Sequence, residues 1–235
     1  MFNELQKCVR DRGPTPIVTW VSDVGRIELS AITFNNAISK ASNFLVDGLE
    51  LEEDASVNIS LGNHWQSAVW LGTAVTTGLT IGGHDSAITF GDKSQAQIWQ
   101  GSPEEFVVVS RDPFGMPDKE IPAGFVNGSA EVRNFGDFFS PRWSISPDHN
   151  AVAINSGELT WTQLVQRAQE LADAYELKSG QSYSLHGTSD LVTTIAFQVV
   201  LPVAFGHSVV LIDQANPDLA AIKKQEKLEQ IVLLG

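Results

Sequence analysis

Two hydrophobic periods alternate along this chain, and their order lays out its elements. The opening residues fit a short helix ending near Arg10. In "TPIVTWVSDVGRIELS" two β-rich runs flank Asp23-Val24-Gly25 as in a hairpin. Ser30 then stands as the cap of a helix whose apolar or small residues, Phe34, Ala37, Ile38, Ala41, Phe44 and Leu45, recur at three and four. "ASVNISL" predicts a strand, "NHWQSAVWLGTAVTTG" a buried helix, and "LTIGG" a strand running into a tight turn. The middle is less regular. It holds "SAITF", a helix over "KSQAQIW", the strand "FVVVS", a Pro- and Gly-rich connector over 112–124, a short helix near 126–135 and the linker "SPRWSISPDHN".

Order returns in the last third. "AVAI" predicts a strand, and Thr160 with Gln163 gives the spacing of a capping box opening the helix "WTQLVQRAQELADAYEL". Strand, helix, strand, helix and strand follow in "SYSL", "LVTTIAFQVVLPVAFG", "SVVLI", "PDLAAIKKQEKLEQ" and "IVLL". This alternation predicts an α/β fold with mostly parallel sheets covered by helices. A weak internal repeat points to two such sheets. Glu28-Leu29-Ser30 recurs as Glu158-Leu159-Thr160, Ser60-Leu61 as Ser184-Leu185, and Gly78 as Gly206. The expected organisation is one unit over 1–235 with two lobes, 55–150 and 14–50 plus 151–235.

Composition narrows the function classes. A chain of 235 residues that is 43% hydrophobic can bury a substantial core. Its net charge of −13 repels nucleic acid and anionic membranes, so neither is an expected partner. The single cysteine, Cys8, forms no intrachain disulfide, and "MFNELQKCVRDRG" lacks the order of a secretion signal, which predicts a cytoplasmic setting. The longest apolar stretch, "IAFQVVLPVAF", is too short to span a bilayer and contains Gln198 and Pro202.

Three segments, "ELTWTQLVQRAQELADAYEL", "LPVAFGHSVVLI" and "PDLAAIKKQEKLEQIVLLG", resemble a region of the AMP-forming acyl-CoA synthetases and related adenylate-forming ligases. In those enzymes L-T-H-x-x-L opens a helix after the phosphate loop, and P-L-x-x-G-A-x-x-V precedes a later strand. Leu159-Thr160-Trp161 to Leu164, and Pro202-Val203 to Gly206-His207, stand in those places. "IELSAITFNNAISKASNFL" and "SLGNHWQSAVWLGTAVTTGLTI" resemble that family's beginning. The whole chain is also similar to a short actinobacterial family whose members look like the front part of such a ligase. That resemblance implies a natural length with "IVLLG" as its end, and a truncated ligase-like N-terminal domain.

The resemblance makes "AINSGELTW" the informative stretch. The ligases carry a T-S-G-T-T-G-x-P-K-G loop after this strand, whose amides, hydroxyls and lysine hold the ATP phosphates. Here Ser156-Gly157 is followed by Glu158 and at once by Leu159-Thr160. Ser156, Gly157 and Thr160 are therefore the candidate cofactor-binding residues, as a vestigial phosphate-loop position beside an unhelpful carboxylate. An ordinary strand-to-helix turn with a cap is the competing reading. No residue matches a catalytic position, and no cofactor is expected.

Other motifs give less. His64, His84 and His186 share no metal-ligand spacing, "GTSDL" over 187–191 fails the hydrolase pattern G-x-S-x-G at its fifth position, and the six tryptophans read as core and rim packing. The expectation is a non-catalytic binding or scaffold protein, a degenerate relative of the synthetases. It would act as a homodimer or with a protein partner and could hold a small acyl or carboxylate ligand. The alternative is one half of a two-chain adenylate-forming or acyl-binding enzyme.

Overall fold

The computed structural model describes residues 1–178, 180–187 and 190–233. The chain begins with α1 (Phe2–Arg12), the hairpin β1 (Pro16–Ser22) and β2 (Arg26–Ser30), and α2 (Ala31–Asn43), extended by a π-helical turn over Phe44–Gly48. It continues through β3 (Ser56–Ser60), α3 (Trp65–Thr77), β4 (Thr80–Gly82), β5 (Ile88–Gly91), α4 (Lys93–Gln97), β6 (Phe106–Val108), β7 (Val126–Asn127) and α5 (Gly128–Glu131). A second hairpin, β8 (Asn150–Ile154) and β9 (Gly157–Thr160), leads into α6 (Trp161–Ala174) and β10 (Ser182–His186). Last come α7 (Leu191–Ile195), a π-helical turn over Ala196–Val200, α8 (Leu201–Ala204), β11 (Ser208–Asp213), α9 (Leu219–Gln225) and β12 (Gln230–Leu233). Of the expected ending "IVLLG", Leu234 and Gly235 lie outside the described residues.

Two mostly parallel sheets result. One has the order β12-β10-β11-β1-β2 and the other β7-β6-β5-β3-β4-β8-β9. The weak repeat becomes geometric here. Both hairpins are antiparallel, and both carry a register shift near their start, between Pro16 and Val18 and between Asn150 and Val152. Ser30 and Thr160 each end a hairpin and cap the following helix. The apolar faces correspond: Ala31, Phe34, Ile38 and Ala41 in α2, and Trp161, Leu164, Ala168 and Leu171 in α6, are all buried. Gly78 and Gly206 both adopt positive φ, 79° and 75°, at the ends of the next helices, a conformation that favours glycine. Strand register also corrects the repeat. Ser56 stands opposite Thr80 as Ser182 stands opposite Ser208, so Ser60 corresponds to His186 and not to Ser184.

Each hairpin joins the sheet of the other half. Val18 of β1 pairs with Val209 of β11, while Val152 of β8 pairs with Ile81 of β4, both parallel. The sheet boundary therefore differs from the sequence expectation: 150–160 belongs with the strands of 56–127. Strand β9 is a second difference. Between "AVAI" and Thr160 the sequence reads as a loop, but Gly157 to Thr160 pair with β8, leaving Asn155-Ser156 as a tight hairpin turn. The physical reason is the demand of the neighbouring half for an edge: β8 lies on β4, and β9 covers its outer side.

Burial of the two helix faces ties the halves together, at about 1.5–3 kcal/mol for each fully buried large apolar side chain. Phe34 and Leu164 are both 0% exposed in one continuous core. Phe34→Ala should cost about 3–5 kcal/mol and Leu164→Ala about 2–5 kcal/mol, and urea unfolding should stay a single transition by both fluorescence and circular dichroism. Two separated transitions, one sensitive to each substitution, would contradict the shared core.

Candidate functional site

Parallel strands present their carboxyl ends to one side, and ligands of α/β sheets bind in the crevice outside those ends where the strand order reverses. In one sheet the chain passes from β3 to β4 on one flank and to β5 on the other; in the second it passes likewise from β10 to β11 and to β12. A crevice of about 270 Å³ opens there, lined by Ile59 to Asn63, Ser67 and Leu71 from the first half and by Gly187, Leu191 and Thr194 from the second. It is the meeting point of the two repeats.

Polar groups lace this crevice across the halves. The Asn63 Nδ2 amide donates to the Gly187 carbonyl at 2.9 Å, and the Gln198 Nε2 amide donates to Asn63 Oδ1 at 3.3 Å. Gln198 sits in the π-helical turn over Ala196–Val200, is 0% exposed, and its Oε1 lacks a hydrogen-bond partner among the described residues. Such turns are frequent where a helix is bent to serve a site. Behind the β3 loop, Arg111 donates from Nη1 to the Leu61 carbonyl at 2.9 Å and from Nη2 to Asp213 Oδ2 at 2.6 Å. The same carboxylate oxygen accepts from Trp20 Nε1 at 3.2 Å. Arg111 thus joins the end of β3 to the end of β11.

His64 caps α3, with Nδ1 accepting from the Gln66 amide at 3.2 Å and its ring meeting Trp20 edge-on at 4.7 Å. Its Nε2 turns towards the Arg111 backbone without a well-formed hydrogen bond. Burial, reinforced by the Arg111 charge and opposed by Asp112, holds the imidazole pKa down at about 3 from 6.5. His64 is therefore neutral at neutral pH, which keeps Nδ1 available as the cap acceptor.

The residues singled out from sequence are placed differently. Ser156 is in the hairpin turn, and Gly157, with φ 135°, begins β9 opposite Ile154. They line an open hollow of about 440 Å³ with Glu158, Arg167, Asp190 and Thr193. The Glu158 carboxylate accepts from Asn150, and Arg167 is paired with Glu170 at 3.1 Å. Thr160 stands apart, since its hydroxyl and backbone amide are both engaged with Gln163 in the capping box. Within "GTSDL", Thr188 and Ser189 lie outside the described residues, and Asp190 caps α7 by accepting from the Thr193 amide. No cluster of three or more metal-ligating side chains occurs among the described residues, and no described helix is long and apolar enough to cross a membrane.

The crevice residues Asn63, Arg111 and Asp213 carried no sequence signal, because their pairings join segments far apart in the chain. Gln198 did carry one, as the polar interruption of an apolar helix.

Comparison with solved structures decides the fold. An acyl-CoA synthetase from Brucella canis superimposes with a TM-score of 0.81 at 11% identity, covering 99% of this chain and 47% of that one. The acetoacetyl-CoA synthetase from Streptomyces lividans gives 0.76 at 13% identity, covering 98% and 42%. The fold is that of the N-terminal part of the acyl-CoA synthetases. This chain spans less than half the length of either synthetase. It is also 29% identical over 232 residues to the "TIGR03089 family protein" of Mycobacterium tuberculosis, covering 92% of this chain and 89% of that protein. No family model matches the chain.

A neutral buried His64 makes stability depend on acid. Below about pH 6.5 the unfolded chain takes up a proton that the folded chain refuses until about pH 3, so the contribution is complete above 6.5 and falls as pH drops. By pH 5 the loss should reach about 2 kcal/mol. His64→Asn, which keeps a cap acceptor, should flatten the fall in urea-unfolding stability between pH 6.5 and 4. An unchanged slope would show that His64 is not the group responsible.

Proposed function

We propose that this chain is a binding or scaffold protein built on the synthetase N-terminal fold and that it does not adenylate a substrate by itself. The observation supporting this reading is the closed hairpin at Asn155–Thr160. A loop that cradles a triphosphate offers several free backbone amides and positive charge. Here the residues after the turn are paired in β9, the Thr160 hydroxyl is committed to its cap, and Glu158 places a carboxylate alongside. Adenylation also demands stabilisation of charge developing at the α-phosphate, and at this hollow Arg167 stands with the carboxylates of Glu158 and Asp190.

The crevice between the repeats is the surface for ligand recognition under this reading. Its amide lacing suits a small polar molecule, such as an acyl compound or carboxylate presenting oxygen to Asn63. Self-association or a protein partner is favoured by apolar side chains left in solvent, with Phe114 and Phe138 78% and 81% exposed. A second reading, one half of a two-chain adenylate-forming or acyl-binding enzyme, is favoured by the open crevice at the strand ends.

MgATP separates the two. A ligand at about 100 times its dissociation constant stabilises the folded state by about 2.7 kcal/mol, so a retained micromolar site would raise the melting temperature visibly at millimolar MgATP. We expect no shift and no ATP–pyrophosphate exchange with carboxylates. A shift absent with inorganic phosphate and lost in Ser156→Ala would make the two-chain enzyme the better account. Sedimentation should find a dimer or larger species in the purified chain or a complex with its partner; monomer at every concentration, with no partner recovered, would remove the scaffold reading.

A further inference from the structure

At the opposite end of α3 from the crevice, by the amino ends of β4 and β8, lies a separate cavity of about 260 Å³. It is enclosed by the start of α1, the end of α3, the segment 141–149 and the first residue of α6. Trp143, Trp161 and Phe2 supply aromatic wall, and Glu4 supplies a carboxylate. Trp143 is fixed by donation from its indole to the Thr77 carbonyl at 2.9 Å. Trp161 donates at 3.5 Å to Glu4 Oε1, while Glu4 Oε2 holds the Met1 ammonium at 3.0 Å. His149, also in the wall, faces Asp54 through Nδ1 at 3.3 Å, and its Nε2 is buried without a hydrogen-bond partner among the described residues.

The internal repeat shows that the fold does not require this cavity. The Trp161 and Thr162 amides donate to the His149 and Pro147 carbonyls as the Ala31 and Ile32 amides donate to those of Thr15 and Gly13. Stepping back one residue from Pro147 and from Gly13, Ser146 corresponds to Arg12. In the first half the Arg12 side chain reaches across to the His207 carbonyl and, at 2.8 Å, to the Ser208 hydroxyl, bridging the place equivalent to Leu79 and Thr80. In the second half a serine leaves that place open. Protein interiors hold few voids larger than a water molecule, so an open pocket with aromatic walls at the position that its counterpart fills with a cation has a chemical preference.

We propose that this cavity binds a small organic ammonium ion carried on an apolar or aromatic body. The ammonium is recognised by Glu4, which already accepts the chain's own terminal ammonium, and by the indole faces of Trp143 and Trp161, whose electron-rich surfaces attract cations. The body of the ligand fills the volume beside Phe2 and Leu79. His149, whose Nε2 is buried without a hydrogen-bond partner among the described residues, stands in the same wall. The ligand's ammonium takes the place of the Met1 ammonium on Glu4, and an alcohol or a carboxylate brings no group that does so.

Phenethylamine, 2-phenylethanol and 3-phenylpropanoate should be titrated into the purified chain, following tryptophan fluorescence and the indole N–H signals of Trp143 and Trp161 by NMR. Saturable binding is expected for the amine alone, with both indole signals moving. Ser146→Arg installs the residue that the first half carries at the same place; it should leave the melting temperature unchanged and weaken the amine by about ten-fold or more. Glu4→Gln should weaken it comparably. No saturable amine binding, an equal response to the alcohol or the carboxylate, or undiminished binding by folded Ser146→Arg would overturn the proposal. Should Ser146→Arg fail to fold, Glu4→Gln decides, and retained affinity in that variant overturns it.

Discussion

Parallel pairing of each hairpin with the other half's sheet is the constraint on which this structure depends. β1 completes its sheet only when β11 has been laid down, and β8 needs β4. Neither half can satisfy its strand edges from its own residues, and an unsatisfied edge leaves backbone N–H and C=O groups unpaired. The two apolar helix faces then meet in one core instead of two. The crevice follows from the same geometry, since interlocking brings the ends of β3 and β10 together and lets Asn63 donate to Gly187. Arg111 reinforces the arrangement by tying Leu61 to Asp213.

Much of the local structure was legible in the sequence, for identifiable reasons. The spacing of Phe34, Ile38 and Ala41, and of Leu164, Ala168 and Leu171, reports a helix buried on one face, and Ser30 and Thr160 report where each begins. Strand partners were not legible. Val152 and Val18 look alike in a local pattern, and nothing in either segment says that its neighbour lies in the other half. β9 was missed because Gly157 and Glu158 are exposed and four residues show too little alternation to be separated from a cap. The site was less legible than the fold. Ser156, Gly157 and Thr160 stand out through the likeness to a phosphate loop, whereas the contacts of Asn63 and Arg111 join segments far apart in the chain. Ser146 became informative only once the repeat supplied Arg12 for comparison.

Placement of charge and polarity gives the functional account its direction. The fold is shared with the front part of synthetases that share only 11% and 13% of its residues, which carries architecture and not chemistry. Within this chain, the hairpin turn and Glu158 favour neither phosphate nor a developing negative charge, while the crevice offers amides and the second cavity offers a carboxylate among indoles. Under the proposed function, a net charge of −13 and these two concavities suit small polar or cationic ligands and partner surfaces better than polyanions.

The central claim is the reciprocal exchange of hairpins, and splitting the chain tests it most directly. Segments 1–140 and 141–235, expressed apart and then mixed, should each lack a cooperative unfolding transition alone and recover one together, with the near-ultraviolet circular dichroism of the intact chain. A cooperative transition from either segment alone would contradict the account, because it would show that a half can close its sheet without the other's hairpin.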